Sequence, residues 1–114
     1  MVQDMDICEA LKQAITRAAE QGQRDEEDHD DFGTYISAGK KQQLEKILAW
    51  WHDGTEPAAL LEKLKAERQR LRQLQALEEQ HPTFEWASDP YWECVYMGAG
   101  YGCEEAMRIL EGSV

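Results

Sequence analysis

Basic residues are scarce in this chain. Lysine and arginine together number 12, against 23 aspartate and glutamate residues, so the net charge is -11 over 114 residues. Phosphate recognition needs a clustered basic surface, and a chain with this charge repels phosphate overall. The composition therefore argues against direct binding of nucleic acid or of an anionic membrane, and it favours cationic partners.

Long apolar runs and paired cysteines are also missing. No stretch approaches the ~20 consecutive apolar residues of a membrane span, and the first residues lack the basic and apolar regions of a secretory signal. The three cysteines are an odd number with no C-x-x-C pair, which is typical of reduced thiols. We expect a single, soluble, cytoplasmic domain with one hydrophobic core.

Catalytic and ligand-binding motifs are likewise not found. Residues 97–104 carry G-x-G-x-G spacing and not the G-x-G-x-x-G of a dinucleotide site. The histidines are scattered singly, whereas structural zinc ligands usually come in close pairs. Counted from Asp28, the EF-hand pattern fails at Phe32 and Gly39. We therefore expect a non-catalytic protein with no cofactor and no metal.

Hydrophobic periodicity predicts an all-α fold, a small bundle of about four helices around a central antiparallel hairpin. The first helix is predicted from about Asp4 or Asp6 to Gln21, with Gly22 ending it. A loop is expected over residues 22–33. One face of the first helix carries its apolar residues, which are Ile7, Leu11, Ala14, Ile15 and Ala18.

The central hairpin is predicted over residues 37–80. Its first helix runs from Ser37 to Asp53, and Gly54 is the expected C-cap. Pro57 opens the next helix, which is expected to reach Gln80. This helix has a heptad-like seam that is interrupted by Glu67 and consists of Leu60, Leu64, Leu71 and Leu74.

A C-terminal helix is predicted over residues 89–111. Its three glycines each weaken a helix by about 1 kcal/mol relative to alanine, so a break near residue 100 is the alternative. Small residues recur at helical spacing and are expected to let another helix approach closely. We call them the small-residue strip: Gly98, Ala99, Gly102 and Ala106.

The most distinctive feature is a run of six carboxylates in seven positions. We call residues 25–31 the acidic segment, and its carboxylates are Asp25, Glu26, Glu27, Asp28, Asp30 and Asp31. Such a cluster steers association with a positively charged surface. One alternative is that the acidic segment is a solvated loop. Another is that it neutralises the chain's own basic region, residues 58–77, which contains five basic and two acidic residues.

Aromatic residues supply the second interface signal. Trp50 and Trp51 are adjacent on one predicted helix, so they point about 100° apart and cannot both face one core. Exposed tryptophan is typical of interface hot spots, and we predict that Trp50 or Trp86 anchors the interface in an apolar pocket. The basic residues of the third helix have no interleaved aromatic residue in the sequence, which weakens the case for an RNA clamp.

Together these features predict a small acidic protein-protein interaction module. It would occupy a basic site on a protein partner, with nucleic-acid-binding proteins among the candidates. Phage-borne inhibitors of bacterial defence nucleases, and nucleic-acid mimics, have a similar size and acidity. This is an analogy in general properties and not a sequence match. One alternative is a self-assembling homodimer formed through the leucine seam or the small-residue strip. Another is a small enzyme or ligand-binding domain with a pocket lined by Trp92, Tyr96 and Tyr101.

Overall fold

Four helices account for almost all of the chain that the computed structural model describes, which is residues 4–80 and 91–112. The helices are α1 (Asp4–Glu27), α2 (Asp31–His52), α3 (Pro57–Gln80) and α4 (Tyr91–Gly112). Within these ranges no residue is in a β-strand. The predicted all-α, four-helix architecture is confirmed.

The order of packing places α4 between α2 and α3, while α1 covers the other side of α2. The core forms where the apolar faces meet, and burial of each large aliphatic side chain contributes about 1.5–3 kcal/mol. The largest fully buried side chains are Leu11, Leu44, Ile47, Leu60, Leu64 and Cys103. Over residues 4–80 and 91–112, no helix is both long enough and apolar enough to span a lipid bilayer.

The first helix is longer than predicted, and the expected loop over residues 22–33 is wrong. Helix α1 passes through Gly22 and ends at Glu27, and α2 already begins at Asp31. A Cβ atom on Gly22 would lie 3.3 Å from the Cβ of Ser37, so this glycine permits close contact between α1 and α2. A mid-helix glycine costs only about 1 kcal/mol, which the packing of α1 on α2 offsets.

Helices α2 and α3 run back along each other after a short connection, but they do not pack closely as the predicted hairpin would, because α4 lies between them. Gly54 has a φ of 88°, a left-handed conformation that glycine adopts without strain, and it reverses the chain after α2. Pro57 is the first residue of α3. Residues near the middle of each helix meet, as in the hydrogen bond from Gln43 to Glu67.

Helix α4 is continuous, so the alternative of a break near residue 100 is wrong. Its small-residue strip is buried, and Gly98 and Gly102 let α2 approach closely, as predicted for a neighbouring helix. A Cβ on Gly98 would overlap the backbone of Ile36, and one on Gly39 would overlap the backbone of Val95. The two helix backbones therefore touch at paired glycines, and this contact compensates the low helix propensity of glycine.

Candidate functional site

The acidic segment forms the tight connection between two long helices. Asp25, Glu26 and Glu27 are the last residues of α1, and Asp31 is the first residue of α2. Only residues 28–30 lie outside a helix. The six carboxylates are thus held on a rigid helical corner.

His29 makes this corner possible. Its φ is 58°, the left-handed region that residues other than glycine rarely adopt. The His29 amide donates to the carbonyl of Glu26 at 3.1 Å, and the Asp30 amide donates to the carbonyl of Asp25 at 2.7 Å. This pair of bonds is the Schellman motif that ends helices, usually with glycine where His29 stands. The corner therefore holds a strained residue, a feature that clusters at functional sites.

Two of the six carboxylates have structural roles. Asp30 is the N-cap of α2, and its Oδ1 accepts a hydrogen bond from the Gly33 amide at 3.0 Å. Asp25 is half-buried, and it accepts hydrogen bonds from Gln21 Nε2 at 2.9 Å and from the buried Ser37 hydroxyl at 3.2 Å. These two predicted partner-binding residues stabilise the corner itself.

The other four carboxylates, Glu26, Glu27, Asp28 and Asp31, face solvent. In the described part of the chain, no ion pair joins any of them to a cation; Arg24 nearby donates to Gln21 instead. Negative charge is unfavourable at the C-terminal end of a helix, where Glu26 and Glu27 stand. Glu26 and Glu27 therefore do not stabilise their helix through its dipole, whereas Asp31 lies in the first turn of α2, where the dipole favours its charge.

The predicted neutralisation of the basic region by the acidic segment is not what the structure shows. Arg70 of α3 pairs with Glu67, Lys65 pairs with Glu62, and Arg72 pairs with Glu104 of α4. Each carboxylate partner lies outside the acidic segment. The charge separation along the chain thus persists in the folded molecule.

An exposed aromatic side chain borders the acidic segment. Phe32 follows Asp31 in the first turn of α2 and is 56% exposed. One turn further on, the ring of Tyr35 lies edge-on to that of Tyr91, which is 38% exposed, with 4.9 Å between their centroids. Sequence reasoning had treated Phe32 only as the end of a loop. Its position immediately after the carboxylates was the signal that it adjoins them.

The predicted tryptophan anchors are not brought to this corner. Trp50 stands 19 residues after Asp31 on the same helix, which places it about 28 Å away along the axis. It is half-buried, with the ammonium groups of Lys63 and Lys46 at 4.0 and 5.1 Å from its ring centroid. The prediction for Trp86 lies outside the described residues.

A polar cluster that sequence reasoning missed lies where α2, α3 and α4 meet. Glu67 is 8% exposed, and its carboxylate accepts hydrogen bonds from Arg70 Nε at 2.6 Å, Lys46 Nζ at 2.9 Å and Gln43 Nε2 at 3.0 Å. Burial alone would raise the pKa of Glu67, but the hydrogen bonds from Arg70, Lys46 and Gln43 outweigh it and lower the pKa from 4.5 to about 2. The sequence did offer one signal of this cluster, because Glu67 interrupts the predicted leucine seam with a carboxylate.

Gln43 connects this cluster to a buried thiol. Its amide also donates to Cys103 Sγ at 3.5 Å, and burial raises the pKa of the Cys103 thiol to about 11. Cys103 is therefore neutral at physiological pH and lacks the thiolate that a nucleophile needs. Cys8, Cys94 and Cys103 form no disulfide.

The surfaces considered for self-assembly are used within one chain. Leu60, Leu64 and Leu71 of the seam are buried, and the small-residue strip packs on α2. Leu77, further along α3, is 56% exposed.

The aromatic residues considered for a pocket are arranged differently from the prediction. Trp92 and Tyr96 pack against each other, with 5.9 Å between their ring centroids. Tyr96 and Tyr101 line a depression of about 190 Å³ together with Arg68, Arg72 and Glu104. No three His, Cys, Asp or Glu side chains among the described residues are grouped so as to hold a metal ion.

The chain matches no known protein family, no curated protein and no solved structure.

Proposed function

We propose that this protein is a small, non-catalytic interaction module that attaches its acidic helical corner to a basic surface on a protein partner. The observation that carries the proposal is the outward-facing group of Glu26, Glu27, Asp28 and Asp31, which has no cationic partner in the described residues. Charges placed against their own helix dipole, as at Glu26 and Glu27, are expected where a sequence serves binding. The three reduced thiols fit a cytoplasmic location.

Phe32 supplies the apolar part of this interface. Specific interfaces combine a desolvated aromatic anchor with a charged rim that accelerates association. Phe32 adjoins the carboxylates, whereas Trp50 lies at the far end of α2, so Phe32 replaces Trp50 as the anchor in this proposal. A partner with arginine or lysine residues around an apolar pocket fits the corner, and a nucleic-acid-binding protein offers such a surface. The protein would then act as an inhibitor of that partner.

The proposal is tested by affinity capture from a lysate of the source organism, with the full chain as bait. The test variant carries Glu26→Gln, Glu27→Gln, Asp28→Asn and Asp31→Asn, and it keeps Asp25 and Asp30 because they stabilise the corner. The control variant changes four other exposed carboxylates. Those substitutions are Glu9→Gln, Glu20→Gln, Glu56→Gln and Glu79→Gln.

Both variants raise the net charge from -11 to -7, so they differ only in where the charge is lost. We expect the wild type and the control to recover the same protein, and the test variant to recover less than about a tenth of it. Equal recovery by the test variant and the control would reject the acidic corner as the attachment site. A second variant, Phe32→Ala, should weaken capture without lowering stability, because the ring is mostly exposed.

A further inference from the structure

The end of α2 opposite the acidic corner carries an excess of positive charge around an aromatic ring. Lys46 and Trp50 of α2 meet Lys63 and Arg70 of α3 there, and we call these four residues the cationic patch. They line a shallow depression of about 300 Å³ together with Ala66 and Glu67. The aromatic residue that the sequence of α3 lacks is thus supplied by a neighbouring helix.

The charges in the cationic patch do not balance. Lys46 and Arg70 share one carboxylate, that of Glu67, at 2.9 and 2.6 Å. Lys63 has no carboxylate partner in the described part of the chain, and its ammonium lies over the Trp50 ring at 4.0 Å. Three cations against one anion leave two positive charges. Elsewhere in the described residues, Arg17 and Lys40 share Glu105, and Arg72 pairs with Glu104.

Two of the four groups, Lys46 and Arg70, are held in place by Glu67 before any ligand arrives. Glu67 is buried and holds Lys46 and Arg70 from two different helices. Arg70 uses its Nε for Glu67, and the guanidinium carries further N–H donors in a planar fork that suits phosphate oxygens. The patch therefore has both the charge and the donors of an anion site.

We infer that the cationic patch binds a small phosphate monoester that carries a planar ring, that is, a nucleoside monophosphate. A phosphate monoester has a charge of about -1.5 to -2 at pH 7, which matches the two unbalanced positive charges. The Lys63 ammonium lies over the Trp50 ring at 4.0 Å, so the ring of the ligand stacks on Trp50 only when Lys63 turns from the ring to the phosphate. A long polyanion fits less well, because it would extend from the patch into the negative field of a chain with a net charge of -11.

The test is isothermal titration calorimetry, in which the full chain is titrated with adenosine monophosphate. Inorganic phosphate and adenosine are titrated in parallel to separate the two parts of the ligand. We expect a Kd on the order of 0.1–1 mM for the nucleotide, with binding at least about tenfold weaker for either part alone. No detectable binding of the nucleotide at about 10 mM, or binding of inorganic phosphate with equal affinity, would overturn the inference.

Surface variants locate the site without threatening the fold. Lys63 is exposed, so Lys63→Gln should fold normally and weaken nucleotide binding about tenfold, while Lys63→Arg should retain it. The matched control is Lys41→Gln, because Lys41 is an exposed lysine of α2 that pairs with Glu45 at 3.5 Å. Equal weakening by Lys63→Gln and Lys41→Gln would show general charge attraction and overturn the assignment. Capture of a protein by the acidic corner is independent of this result.

Discussion

The buried carboxylate of Glu67 gives the sharpest prediction about stability. The change is Glu67→Gln, which keeps the size of the side chain and removes its charge. A folded-state pKa of about 2 against 4.5 corresponds to about 3 kcal/mol of stability at neutral pH. Lys46 and Arg70 have half-exposed side chains, at 47% and 53%, so solvent screens part of this interaction. We therefore expect a loss of about 2 kcal/mol at pH 7.

The effect of Glu67→Gln depends on pH with a defined sign. Because the pKa of Glu67 is lowered by folding, its stabilisation is complete above about pH 5 and is lost as the pH falls toward 2. The difference between wild type and variant should therefore shrink to less than half of its neutral value at pH 3. Urea denaturation followed by circular dichroism at pH 7 and pH 3 measures both quantities.

The matched control for this measurement is Glu62→Gln on the same helix. The Glu62 side chain is 74% exposed, and Lys65, at 3.3 Å, is its one ionic partner within residues 4–80 and 91–112, so its loss should cost less than about 0.5 kcal/mol. Equal stability of wild type and Glu67→Gln at pH 7 would refute the assignment of Glu67 as an ionised, stabilising group. A stability difference that stays constant down to pH 3 would refute the lowered pKa.

Three further predictions concern the helix contacts and the acidic corner. Gly98→Ala should cost more than about 2 kcal/mol by thermal denaturation, because its Cβ would overlap the backbone of α2, whereas Gly100→Ala, with open space around it, should stabilise the protein by about 1 kcal/mol. Asp30→Ala removes the N-cap of α2 and should cost about 1 kcal/mol, and Asp28→Ala, which caps nothing, should change stability by less than about 0.5 kcal/mol. His29→Gly should stabilise the corner by about 1 kcal/mol in the same assay, because glycine adopts a positive φ without strain. Equal stability of Gly98→Ala and Gly100→Ala, or of Asp30→Ala and Asp28→Ala, would contradict the geometry described. A loss of stability in His29→Gly would contradict it as well.

Local patterns in the sequence predicted the helices well where apolar residues recur at helical spacing. Leu60, Leu64 and Leu71 of the α3 seam lie in the core as expected, whereas Leu74 is only half-buried, and the small-residue strip of α4 is buried as well. Burial of a periodic face is the main force that stabilises a helix. The prediction failed at Gly22, where helix propensity was outweighed by a contact with Ser37, a residue 15 positions away. Propensity is a weak guide wherever tertiary packing decides.

The candidate sites were less accessible to sequence reasoning, because they depend on contacts between helices. The acidic segment was evident from composition, but the separation of Asp25 and Asp30 from the outward-facing carboxylates follows from hydrogen bonds to Ser37 and Gly33. The cationic environment of Trp50 is completed by Lys63 from another helix. Spacing along one helix cannot reveal such a pair.

We propose that the outward-facing carboxylates attach this protein to a basic partner. The most direct measurement is the affinity for the captured partner as salt is raised from 0.1 to 1 M, where the Debye length falls from about 10 to about 3 Å. We expect the wild type and the control variant to bind the partner more weakly at each increase in salt concentration. The test variant, which lacks the carboxylates of Glu26, Glu27, Asp28 and Asp31, should show residual binding that changes little with salt. An affinity that is independent of salt, or the same salt dependence in all three proteins, would contradict it.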